Sequence, residues 1–182
     1  MQAQNNIDFS KIDWGKIDKE KAEFIYYEAI ARLDSIHKNN EVITNKALSM
    51  LSFSVPILTA LVGYFILQWG TLTIPLQIIS FCSVIFLFVI FILLLHVIIP
   101  EGFSSAQGGP SAYFTDGYYL RSMEDIFKGN IQDLHSSINE DIAVQKKRAY
   151  IFKAAVLTFA FFPIILVIIW LASSFLSLFL QS

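Results

Sequence analysis

Three histidines, one cysteine and a scatter of carboxylates are what this chain offers for acid–base, nucleophilic or metal chemistry, and their spacing assembles none of it. His37, His96 and His135 are far apart, so no two fall at the three- or four-residue spacing that puts paired ligands on one helix face. No HExxH, GxGxxG, Walker-type phosphate loop or GxSxG occurs. Cys82 is the only cysteine, so one chain holds neither a disulfide nor a Cys-based metal site. The carboxylates are expected along solvated helix faces. These observations point away from an enzyme and call for no metal or cofactor. His96 stands apart because it falls within an apolar run, where an ionisable group is a functional candidate. The plainer alternative is a neutral histidine hydrogen-bonded at an interface.

The elements that would position these groups are set by charge. Every Asp, Glu, Lys and Arg falls within residues 1–46 or 101–153, and residues 47–100 and 154–182 contain none. One charge at the centre of a membrane helix costs about 2.5–3.5 kcal/mol, so a bilayer enforces this segregation. The composition agrees: 55% of the 182 residues are hydrophobic and only 15% are charged, against about 25% charged in soluble domains. A net charge of −2 provides no basic face, which excludes nucleic acid as an expected partner. The first forty residues are polar and hold no signal-peptide core, so the first membrane helix is expected to direct insertion.

Three spans follow, in an all-α membrane protein. A span needs about 20 largely apolar residues. Residues 48–67 supply the first and 74–99 the second, opened by Pro75 and closed by Pro100, with only 68–73 as a turn between them. Residues 154–180 form a long third span that tilt or an interfacial last turn after Ser173 and Ser174 would accommodate; the alternative is a re-entrant pair broken at those serines, neither half of which could cross alone. The expected organisation is a cytoplasmic N-terminal helical segment (1–47), a transmembrane helical hairpin (48–99), a cytoplasmic loop and amphipathic helix (100–153) and a third transmembrane helix (154–182). Lys38, Lys46, Lys146, Lys147, Arg148 and Lys153 flank the first and third spans, while the hairpin turn and C-terminus lack basic residues. The positive-inside rule then places the N-terminus in the cytoplasm and the C-terminus outside.

The polar blocks read as helices that run into these spans. Tyr26, Ile30, Leu33, His37 and Asn40 recur at helical spacing opposite Lys21, Glu28, Arg32 and Ser35. After a loop rich in breakers at 101–112, the residues Leu120, Phe127, Ile131, Leu134, Ile138, Ile142 and Gln145 repeat likewise, with Gly117 and Gly129 weakening the first turns. Two such helices would pair into a stalk on the membrane base. Asn39, Asn40, Asn45, Gln132, Asn139 and Gln145, on or beside the stripes, would set register and partner choice, with ligand contact as the alternative. Within the first span Ser49, Ser52, Pro56, Ala60 and Gly63 form a face of small or polar residues suited to close approach, and hence to homo-oligomerisation. Residues 84–95 are aliphatic or aromatic on every side and are expected to face lipid. No ring of charge marks a standing pore, so any conducting or disrupting state must arise by assembly or rearrangement.

The order of features also carries a resemblance. HKNNEVITNKALSML leads into the first span, a hairpin follows, then the loop IIPEGFSSAQGGPSAYF and a helix ending QKKRAYIFKAA before the last span. This resembles the transmembrane effectors of bacterial Pycsar anti-phage systems and, more broadly, SLATT-type membrane effectors, over about residues 27–180. The resemblance implies an inner-membrane effector, activated by a cyclic pyrimidine mononucleotide from a partner synthase, that compromises the membrane of an infected cell. The matching positions are Asn45, Lys46 and Ala47, then Tyr113 and Phe114, then Lys147 and Lys153. Lysines there can neutralise a phosphate and the aromatic pair can stack on a base, although lysines beside a span also anchor helices and an aromatic pair also fills a core. The chain departs from a complete sensor in having no separate nucleotide-binding domain, which leaves a partner protein as another trigger. The alternative reading is a harmless structural or accessory subunit of a larger membrane complex.

Overall fold

A computed structural model describes residues 11–99, 102 and 121–179. After a short 3-10 turn at Trp14–Lys16, the described residues form three α-helices and no strand: α1 (Lys19–Gln68), α2 (Ile74–Ile98) and α3 (Met123–Phe179). Each contains a stretch long and apolar enough to cross a membrane.

Local chemistry accounts for the helix ends. Asp18 accepts the backbone N–H of Lys21 at 2.9 Å and its ammonium at 2.8 Å, satisfying one of the orphan donors of the first turn of α1. The bonds from the Lys21 side chain and then from its backbone N–H hold the Asp18 carboxyl below its ordinary pKa. Between α1 and α2 the amide of Gln77 reaches back to the carbonyls of Trp69 (2.8 Å) and Leu72 (3.2 Å), closing the turn, and Pro75 occupies the first turn of α2, where no donor is lost. Ser122 opens α3: its hydroxyl accepts the N–H of Asp125 and donates to the carboxylate of the same residue. With that cap in place α3 runs through Gly129, and it continues past Ser173 and Ser174 without a break.

Burial on α1 and α3 follows a seven-residue repeat. Tyr26, Leu33, Asn40, Ala47 and Ser54 are buried on α1, and Leu134, Asp141, Arg148 and Ala155 on α3. Seven residues in two turns is the period of helices paired along a seam. The chain divides into two compact units, Met1–Asn39 with Gly102–Gln145 and Asn40–Glu101 with Lys146–Ser182. In the first, Tyr26, Leu33 and Ile36 pack with Ile131, Leu134 and Ile138, and Phe127 meets Tyr26 edge to face at 5.6 Å. In the second, Ala47 and Ala155 cluster with Leu87, Ile90, Leu94 and Val97 of α2. The small alanines let α2 approach closely.

Three expectations are corrected by this packing. Residues 84–95 do not simply face lipid: Leu87, Ile90 and Leu94 are fully buried, while Ile85, Phe88 and Ile92 look outward. The stripe on α3 also takes in the charged residues Asp141 and Arg148, with Ile142 packed beside it, and the stripe on α1 includes Ile36. The carboxylates are not all solvated either, since Asp141 is 1% exposed. In each case a partner from a distant part of the chain covers a residue whose own neighbours in sequence gave no sign of it.

Asn40 is 2% exposed, and its side-chain amide has no hydrogen-bond partner among the described residues. A buried polar group left unpaired costs about 1–3 kcal/mol, while a polar residue in a helical seam fixes register. Asn40→Leu should therefore raise the thermal unfolding midpoint of the protein in detergent. A lowered midpoint would show that the amide contributes a stabilising contact.

Candidate functional site

Arg148 is a buried cation at the centre of the second unit's polar contacts. It is 3% exposed, and its Nε donates to the carbonyl of Val97 at 3.0 Å. Its Nη2 donates to the same carbonyl and, at 2.8 Å, to the hydroxyl of Thr44. Thr44 in turn donates to the carbonyl of Asn40 at 3.0 Å. The last four carbonyls of a helix lack intrahelical partners and carry partial negative charge, so a guanidinium at Val97 caps the C-terminal end of α2. One side chain thus joins all three helices. Arg148 belongs to this internal clamp and not to the basic fringe in which the sequence placed it. The local pattern RAY gave no sign of this, because the groups it serves lie 51 and 104 residues away.

The first unit contains a second polar tie. His37 Nε2 lies 2.9 Å from Oδ2 of Asp141, joining α1 to α3. A carboxylate 1% exposed would be costly without such a partner. The sequence pattern puts His37 on the apolar stripe and Asp141 among the solvated carboxylates, so neither stands out there as part of a site.

A third feature is an open depression of about 450 Å³ on the second unit, lined by Val42, Asn45, Lys46, Ser49, Met50 and Phe152. It brings together two of the expected ligand residues, Asn45 and Lys46, with an aromatic ring that the sequence did not single out. Lys147 and Lys153 are exposed on α3 but do not line it. Tyr113 and Phe114 lie outside the described residues. Ser52, Pro56 and Ala60 are exposed and Gly63 has open space around it, so among the described residues nothing covers this small-residue face. His96 is exposed, with Nδ1 3.3 Å from the carbonyl of Ile92 in its own helix. No group of His, Cys, Asp or Glu able to hold a metal occurs among the described residues.

Compared with protein-family models, curated proteins and solved structures, the chain matches none. Its chemistry must be read from its own side chains.

The clamp generates a sharp expectation. Arg148→Lys keeps the charge but loses the planar fork that reaches both Val97 and Thr44, and a hydrogen bond to a charged group is worth about 1.5–3 kcal/mol. Thermal unfolding in detergent should show a loss of that order for Arg148→Lys and a greater one for Arg148→Ala. Unchanged midpoints for both variants would remove the clamp from the list of stabilising contacts.

Proposed function

We propose that this protein is a non-enzymatic anti-phage effector that self-associates in a bacterial inner membrane and impairs its integrity when triggered by a cyclic nucleotide or a partner protein. The observation that carries the reading is the exposure of the spans: only 6% of the most apolar window of α1, and of α3, is buried. A single copy therefore leaves most of its membrane surface available to lipid and to other copies, and Ser52, Pro56, Ala60 and Gly63 form the small-residue face best suited to the latter. Lys46, Lys146, Lys147 and Lys153 still flank the first and third spans without Arg148, which supports a cytoplasmic N-terminus and a periplasmic C-terminus. The resemblance to Pycsar and SLATT-type effectors supplies the trigger class, a cyclic pyrimidine mononucleotide made by a neighbouring synthase.

A second reading, an accessory subunit that docks a soluble protein, is favoured by a specific feature. Phe24 and Tyr27 are 67% and 65% exposed on the polar part of α1, and exposed aromatic rings are common anchors for partners.

Membrane potential separates the two. Co-expression with an active cyclic nucleotide synthase, or phage infection of cells carrying the complete system, should collapse the potential reported by a voltage-sensitive dye. Lys46→Glu should block the collapse while the protein remains inserted, because a carboxylate there opposes an anionic ligand. An unchanged potential under both triggers, in cells shown to contain the inserted protein, would favour the accessory subunit.

A further inference from the structure

We infer that the depression beside Lys46 binds the phosphodiester headgroup of an anionic glycerophospholipid. Its position is the first reason. Lys46 is the last charged residue before the charge-free run 47–100, so in a membrane it stands at headgroup depth. Ser49 and Met50, three and four residues further on, lie about 5–6 Å deeper by helix rise. The depression therefore extends from the headgroup region towards the acyl chains.

Its chemistry is the second reason. Val42, Met50 and Phe152 present carbon, and the Lys46 ammonium and Asn45 amide are the donors that can meet a phosphate oxygen. The Ser49 hydroxyl is already committed to the carbonyl of Asn45, at 2.9 Å. No carboxylate lines the depression, so nothing in it repels an anion. The depression is open on one side, as a site entered by a lipid from the surrounding bilayer must be, and basic pockets between membrane helices are recurrent sites for anionic headgroups. Choline would bring a second positive charge near Lys46, which selects against zwitterionic lipid.

A cyclic mononucleotide is also a singly charged phosphodiester. The apolar wall and the depth of the depression favour the lipid, whose acyl chain can lie along Met50 and Phe152. This inference rests on the membrane nature of the chain and not on its effector role.

The test uses full-length protein purified in a neutral detergent and titrated with short-chain phosphatidylglycerol, short-chain phosphatidylcholine and cyclic CMP, with binding read by calorimetry. Phosphatidylglycerol should bind more tightly than phosphatidylcholine. Lys46→Gln should weaken phosphatidylglycerol binding about five-fold, the equivalent of the roughly 1 kcal/mol that one basic residue contributes at an anionic surface. Lys146→Gln, which removes the same charge outside the depression, should leave binding unchanged. Equal binding of the two lipids, or equal effects of the two substitutions, would overturn the inference. So would Lys46-dependent binding of cyclic CMP without binding of phosphatidylglycerol, a result that would at the same time strengthen the effector reading. Because the assay reads lipid binding and not toxicity, its failure is distinct from a failure of the proposed function.

Discussion

A guanidinium removed from water needs several acceptors at once, and Arg148 finds them at the end of α2 and on the flank of α1. The carbonyl of Val97 and the hydroxyl of Thr44 meet its planar fork. Neither α1 nor α3 can shift along its axis relative to α2 without stripping hydrogen bonds from a buried charge. Apolar packing alone resists such sliding weakly, since one leucine replaces another at little cost. The clamp turns the cluster around Ala47, Leu87, Ile90, Leu94, Val97 and Ala155 into one defined arrangement.

The same logic operates in the first unit with different groups. Tyr26, Leu33, Ile36, Ile131, Leu134 and Ile138 supply apolar contact, while the His37 to Asp141 bond specifies which turns of the two helices face each other. Buried polar contacts of this kind are weak evidence for stability, because desolvation offsets much of the attraction. Their best-attested use is to fix register and choose partners. Asn40, Asp141 and Arg148 all take seam positions that leucine would fill with less desolvation, which fits a protein whose helix pairing must be particular.

Outside the clamp, the surface of the spans is almost wholly apolar and open. A membrane helix gains no hydrophobic free energy by leaving lipid for protein, so further association depends on close packing and polar contacts. Both are present on separate faces. Ser52, Pro56 and Ala60 offer an outward strip of small groups, and Asn45 and Lys46 offer polar groups beside an apolar hollow. A chain built this way presents separate faces to lipid and to protein neighbours.

Much of the architecture was legible in the residues. Exclusion of charge from 47–100 and 154–182 fixed the three spans, because the cost of a charge in hydrocarbon is a property of the residue itself and needs no partner. The hairpin followed from the few residues between 67 and 74, and the helical character of the polar blocks followed from their periodicity. Asn45 and Lys46 were visible as a pair, but Phe152, which completes the hollow, was not, since it lies on another helix. The face of α2 that turns inward could not be read from a helix apolar on every side, where periodicity carries no signal. Nor could the burial of Asp141 and Arg148 be read: a charged side chain defaults to water unless specific partners compensate its desolvation, and here those partners stand 51 and 104 residues distant. The sequence by itself determined which helices are long and apolar enough to cross a membrane; only the tertiary structure decided which charges leave the water, because that depends on groups brought together by folding.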